Sequence, residues 1–155
     1  MTILYEGIVN IKLKYKNNAI KEYCIKNTGT PALFKAIAQC LAGYHADSNM
    51  PQYIDIQQDG VSILKDTILL PGTAKSYQQI DSTWATLITQ TILLSDFSIS
   101  PSSLSEDVDF CLLDGNKQKL ASVTEDSSVF AGLAANTELI VEWNMFISQP
   151  ETSEE

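Results

Sequence analysis

The feature that most constrains this chain is a long alternation of apolar and polar residues from Thr137 to Ser148, which reads TELIVEWNMFIS. Successive side chains of a pleated strand point to opposite faces, so the pattern collects one apolar set on a single face. That set is Leu139, Val141, Trp143, Met145 and Ile147. The opposite face carries Glu138 and Glu142, interrupted by Ile140 and Phe146. The segment therefore predicts a strand that completes a sheet with one buried face.

The rest of the chain predicts a mainly β protein. It has 155 residues, of which 45% are hydrophobic and 19% charged, and this suits one globular domain with its own core. Short strand patterns separated by turn residues, together with one helix, favour a β-sandwich or jelly-roll-like single domain over residues 1–149. Residues 150–155 are acidic and are expected to form a disordered tail.

Three turn signals divide the predicted strands. Asn17-Asn18, Asp59-Gly60 and Asp114-Gly115-Asn116 consist of residues that tolerate positive φ, so each predicts a hairpin. The segment Thr83–Leu93 is partly apolar on both faces, which indicates a central or sandwiched strand. The start of the chain alternates like a strand and lacks a basic n-region, so no signal peptide is predicted. No apolar run reaches the roughly 20 residues that cross a bilayer, and no membrane partner is expected.

One helix is predicted at about residues 30–42. Thr30 suits the N-cap, Pro31 the first helical position, and Gly43 the position after the end. Between them only Lys35 and Gln39 are polar, which leaves a narrow polar stripe. We therefore expect the helix to be buried over most of its circumference, either as a plug at one end of a sandwich or partly beneath a partner.

The charge is acidic overall and unevenly distributed. The formal net charge is −9 and arginine is absent, which argues against a nucleic-acid partner. Six of the ten lysines nevertheless lie in the first 35 residues. Lys12, Lys14, Lys16 and Lys21 would decorate the first hairpin. They either solvate and protect an outer strand or contact an acidic partner surface.

The candidate catalytic and metal-binding residues do not form a known motif. Asp47, Asp55 and Asp59 could be combined with His45, but their spacing matches no calcium loop, and a solvated loop histidine is favoured. Cys24, Cys40 and Cys111 are widely spaced, so we expect small buried hydrophobic residues and not a disulfide or zinc site. Neither a Gly-x-Ser-x-Gly elbow nor a glycine-rich phosphate loop is present. The sequence predicts no cofactor and no metal.

A pair of carboxylates is the catalytic arrangement that requires the least specific sequence motif. Glu106, Asp107 and Asp109 form one cluster, and Glu138 and Glu142 share a strand face. Solvated acids at strand edges are the favoured interpretation, so the chain is predicted not to be an enzyme. Aromatic residues that could stack on sugars are present, but most of them are expected to face the core. They are Tyr5, Tyr15, Tyr23, Tyr53, Tyr77, Trp84 and Trp143.

Three segments together resemble small structural proteins of tailed bacteriophages, of the kind that build head decorations, head fibres, or neck and tail appendages. They are Thr28–Tyr44, Tyr53–Gln57 and Leu139–Ser148. The resemblance implies a non-enzymatic virion protein, made in the host cytoplasm, that forms a homo-oligomer and docks on other virion structural proteins. The lysine-rich hairpin would then face an acidic partner. A glycan- or receptor-binding module, with an exposed aromatic residue near Asp and Asn side chains, is the alternative.

Overall fold

A computed structural model describes residues 4–15, 17–27, 29–44, 50–65, 74–81, 83–104 and 106–148. The predicted tail at residues 150–155 lies outside this range. Within it the chain forms nine strands and one α-helix. In order they are β1 (Leu4–Lys14), β2 (Ile20–Asn27), α1 (Pro31–Leu41), β3 (Pro51–Gln58), β4 (Val61–Ser62), β5 (Ala74–Ile80), β6 (Thr83–Leu93), β7 (Val108–Asp114), β8 (Lys119–Glu125) and β9 (Glu138–Ser148).

The strands form two antiparallel sheets. Sheet A has the strand order β2-β1-β9-β6-β5, and sheet B has the order β4-β3-β7-β8. Hairpins alternate between them, since β1–β2 and β5–β6 lie in sheet A while β3–β4 and β7–β8 lie in sheet B. Apolar residues from both sheets form one buried cluster. The predicted mainly β, sandwich-like fold with one helix is confirmed.

The strand β9 lies in the centre of sheet A. It pairs with β1 from Leu4↔Ser148 to Lys14↔Glu138 and, on its other side, with β6. The first four apolar residues of its predicted inner face are buried, namely Leu139, Val141, Trp143 and Met145. The alternation therefore predicted both the strand and its buried face. The strand β6 lies inside the sheet, between β9 and β5, as the apolar residues on both of its faces indicated.

The turn chemistry is as predicted in the first two turns, whereas in the third turn the positive φ, 62°, falls on Lys117, just after the predicted residues. Asn18 has a φ of 65°, and Asp59 and Gly60 have φ values of 51° and 78°. In the third turn the Asp114 carboxylate accepts hydrogen bonds from the backbone N–H groups of Asn116 and Gln118, at 2.9 and 2.8 Å. These local contacts fix the hairpins β1–β2, β3–β4 and β7–β8.

The ends of α1 follow from the capping residues. The Thr30 Oγ1 atom accepts a hydrogen bond from the Leu33 N–H and donates one to the Leu120 carbonyl at 2.7 Å, which ties the helix to β8. After the helix, the N–H of Gly43, at a φ of 88°, donates to the Cys40 carbonyl, and the N–H of Tyr44 donates to that of Gln39. This pair of bonds is a Schellman motif, which requires a positive φ at position 43 and therefore favours glycine there.

The expected burial of α1 over most of its circumference is wrong for the isolated chain. Only Leu33 and Ala36 are buried, whereas Phe34 is 47% exposed and Leu41 81% exposed. The physical reason is that α1 lies along the margin of the sandwich, where β8 and the start of β1 contact one of its faces. Leu41, in the last turn, is left open to solvent.

A tight contact at Gly7 of β1 gives a stability test. A Cβ at this position would lie 1.7 Å from the Asn27 Oδ1 atom and 3.0 Å from the Tyr5 hydroxyl. We expect Gly7→Ala to lower the free energy of unfolding by about 1–3 kcal/mol, because the Asn27 side chain must move out of its packed position to accept the methyl group. Denaturant titration measures this change.

The matched control is Asn27→Ala, which removes the obstructing atoms. The double variant should lose less stability than the sum of the two single variants, because the methyl group then has space. Additive losses would contradict the proposed clash.

Candidate functional site

An apolar groove of about 270 Å³ lies between α1 and the inner face of sheet A. Its lining comes from the helix, from the start of β3, and from the ends of β1, β6 and β9: Tyr5, Leu33, Ala36, Ile37, Cys40, Leu41, Met50, Pro51, Thr86, Met145 and Ile147. Among the described residues, no carboxylate, lysine or histidine lines it. The groove is therefore suited to an apolar side chain and not to a charged ligand.

The position of the groove follows from the strand register. Tyr5 stands opposite Ile147, and Met145 stands opposite Thr86 on the neighbouring strand. The Tyr5 ring meets the Phe34 ring edge-on, with 5.5 Å between centroids. Burial raises the pKa of the Tyr5 phenol to about 12, so this side chain stays neutral. Tyr5 thus joins the helix to the sheet and forms one wall of the groove.

An exposed aromatic pair lies on the same face of sheet A. The rings of Tyr77 and Trp84 are 6.2 Å apart at a tilt of 38°. Tyr77 is 79% exposed and Trp84 is 52% exposed, so the expectation of core positions is wrong for both. It is correct for Trp143, which is fully buried in the middle of β9. Tyr77 and Trp84 differ from Trp143 because they lie towards the β5 edge of sheet A, where the inner face is open to solvent.

The four lysines predicted to contact a partner do not form one patch. Lys12 and Lys14 point to the outer face of β1, whereas Lys21 lies on the opposite face of sheet A, beside Tyr23. The Lys21 ammonium lies 5.3 Å from the centre of the Tyr23 ring, and a hydrogen bond to Tyr23 raises its pKa. Lys16 lies outside the described residues. A partner role for these side chains stays a prediction.

Lys12 has an intramolecular partner that sequence reasoning missed. Its ammonium forms an ion pair with Glu142 of β9, and this hydrogen bond raises the pKa of Lys12. The two residues are far apart in sequence. They meet because β1 and β9 are neighbours. Asn10 stands opposite Glu142, and Lys12 is the next residue of β1 on the same face of the sheet. Only the register between the strands could have revealed this pair.

The predicted carboxylate clusters lie on different sheets. Glu106, before β7, is exposed, and a hydrogen bond to the Asp59 side chain raises its pKa. Asp109 accepts a hydrogen bond from Thr124 Oγ1 at 2.6 Å. Glu138 and Glu142 share the outer face of β9, where Glu142 is held by Lys12. The structure therefore does not bring the two clusters together.

Asp55, one of the described metal candidates, is engaged in hydrogen bonds within sheet B. The buried Asp55 carboxylate accepts hydrogen bonds from Ser62 Oγ at 2.6 Å, Gln57 Nε2 at 3.0 Å and the Ile56 N–H at 2.9 Å. His45 and Asp47 lie outside the described residues. Among the residues that are described, no group of three or more His, Cys, Asp or Glu side chains could hold a metal ion.

The prediction of buried cysteines is correct only for Cys111. This thiol is buried in sheet B, and burial raises its pKa to about 12. Cys24 is exposed because it points outward from the edge strand β2, opposite Asn10. Cys40 is exposed in the last turn of α1, beside the groove. An apolar sequence neighbourhood was therefore a poor guide to burial at these two positions.

No protein-family model matches the sequence, and neither a curated protein nor a solved structure matches the chain. The similarity to phage structural proteins accordingly stays a prediction. In the part of the chain that the structure describes, no helix is both long enough and apolar enough to cross a membrane.

The ion pair between Lys12 and Glu142 can be measured by a double-mutant cycle. We expect Lys12→Ala and Glu142→Ala to show a coupling free energy of about 0.2–1 kcal/mol, because both side chains are partly accessible to water. The coupling should decrease at high salt. Denaturant titration at two salt concentrations measures both effects.

Lys14→Ala is the control, because Lys14 lies on the same face of β1 but forms no ion pair with a described residue. Its coupling to Glu142→Ala should be close to zero. Equal coupling of both lysines would contradict a specific pair and would indicate a diffuse electrostatic effect.

Proposed function

We propose that this chain is a non-enzymatic structural protein of a tailed-bacteriophage particle. It self-associates and docks on other virion proteins as a head decoration, a head fibre, or a neck or tail component. After synthesis in the host cytoplasm it resides in the virion. The resemblance of the three sequence segments supports the phage context, and the uncovered apolar surface beside α1 supports assembly.

The apolar surface is the observation that carries the proposal. Phe34, Leu41 and Tyr44 are exposed along α1 and its C-terminal end, and the apolar groove opens beside Leu41. Contiguous exposed apolar patches on soluble domains mark interaction sites, since each Å² removed from water contributes roughly 25 cal/mol. Burial of this helix face in an assembly would also explain why the helix is apolar on nearly all sides.

The charge distribution supports an oriented subunit. The first 35 residues have a local balance of +4, from six lysines and two acids, while the whole chain is at −9. A hairpin directed at an acidic partner would place Lys14 and Lys16 in contact with it, whereas Lys12 already has Glu142 as a partner. Electrostatic complementarity of this kind sets orientation more than affinity.

Quantitative mass spectrometry of purified particles of the phage that encodes this chain tests the proposal. A copy number close to that of the major capsid protein would indicate a head decoration, and a small fixed number would indicate a fibre, neck or tail component. Absence from the particle would reject the virion role.

Substitution at the surface tests which side chains dock. We expect Leu41→Lys to reduce incorporation by about tenfold, which corresponds to a loss of about 1.4 kcal/mol of docking free energy. Val61→Lys is the matched control, because Val61 is a similarly exposed apolar residue on sheet B. Equal loss for both variants would contradict docking through α1.

Glycan binding is the second candidate, favoured by the exposed pair of Tyr77 and Trp84. Aromatic rings with an open face are the usual stacking platform for sugars, and Gln79 stands opposite Trp84 as a hydrogen-bonding neighbour. If this function holds, a glycan array gives a defined signal that Trp84→Ala abolishes and Trp84→Phe retains. An array that stays blank at high protein concentration rejects it.

A further inference from the structure

The outer strand β5 presents an open edge. Within the described residues it pairs only with β6, and the side chains from Ser76 to Ile80 are all exposed. Along one side of such a strand, alternate backbone N–H and C=O groups have no ladder partner. This edge can therefore accept a further strand.

The edge of β5 lacks the features that normally prevent strand addition. Edge strands are commonly protected by charges, prolines or bulges. Ser76–Ile80 contains no charge and no proline, and the β5–β6 register runs without a shift from Ala74↔Thr89 to Ile80↔Thr83. The opposite edge of the same sheet, β2, carries Lys21, Glu22 and Lys26. Sheet A thus has one protected and one unprotected edge.

The charge distribution indicates what the added strand is. From residue 74 to residue 93 the β5–β6 hairpin contains one lysine and one aspartate, so it is neutral in a chain of net charge −9. Two copies of this chain repel each other wherever acidic surfaces meet. A neutral edge is the place where a second copy can approach without that repulsion.

We infer that β5 pairs antiparallel with β5 of a second copy, about a two-fold axis at Gln78. In this register Ser76 stands opposite Ile80 of the second copy, Tyr77 opposite Gln79, and the position of Lys75 opposite that of Asp81. No like charges meet in the ladder. The two five-stranded sheets become one continuous sheet of ten strands.

This pairing also brings the exposed aromatic residues of the two copies onto one continuous face. Trp84 stands opposite Gln79 within the chain, so the added strand places Tyr77 of the second copy next in the same row. The contact is isologous, as in most two-fold dimers, and each copy contributes the same side chains. The inference rests on the proposed function for the role of self-association and gives it a defined surface.

Sedimentation equilibrium of the full chain tests the inference. The wild type should be a dimer. Gln78→Lys and Gln78→Glu should each weaken dimerisation at least about tenfold, because each places like charges opposite one another at the two-fold axis. An equimolar mixture of the two variants should restore association, since the mixed pair places opposite charges face to face.

Cys24→Lys is the matched control, because it adds a charge at an exposed position on the other edge strand, β2. It should leave the dimer intact, and thermal unfolding of all variants should show that they remain folded. A monomeric wild type, a dimer insensitive to Gln78→Lys, or a mixture that stays dissociated would overturn the inference. A monomer whose Trp84 binds a sugar would assign this edge to glycan binding instead.

Two outcomes distinguish failure of the dimer from failure of the virion role. A Gln78-dependent dimer that is absent from purified particles keeps the interface and rejects the proposed function. A monomeric chain that is nevertheless incorporated into particles rejects the interface and keeps the proposed function.

Discussion

The pairing of β9 with β1 on one side and β6 on the other is the constraint on which the rest of the structure depends. Within sheet A, β9 is the only strand that joins the β1–β2 hairpin to the β5–β6 hairpin. Its inner residues Leu139, Val141 and Trp143 are fully buried between the apolar rows of both neighbours. Burial of each large apolar side chain contributes about 1.5–3 kcal/mol. Loss of this strand would therefore separate the sheet and expose the core at once.

The exposed surfaces follow from unequal strand lengths in the two sheets. The central strands of sheet A, β1, β6 and β9, have 11 residues each, whereas β3, β7 and β8 of sheet B have 8, 7 and 7. A difference of three to four residues corresponds to an overhang of about 10–13 Å. The row of Tyr5, Ile147 and Trp84 lies on this overhang, which α1 covers only in part. The groove and the aromatic pair are thus two parts of one uncovered inner face.

Local chemistry explains which features the sequence could predict. Alternation identified β9 and its buried face, and turn residues located the hairpins. Thr30 and Gly43 marked the ends of α1. Each of these signals acts within a few residues. The exposure of Phe34 and Trp84 could not be predicted in the same way, since it depends on where elements that are distant in sequence end. The Lys12–Glu142 pair likewise required the β1–β9 register, which no local pattern specifies.

The central position of β9 also determines when this protein can fold during its synthesis. The β1–β2 hairpin is synthesised before the rest of sheet A, but the inner edge of β1 has no neighbour until translation has passed Ser148. The β5–β6 hairpin waits in the same way with the inner edge of β6 open. Long-range pairing of this kind is slow, and unpaired edges with apolar faces aggregate readily. The two hairpins of sheet A can therefore be joined only after β9 has been synthesised.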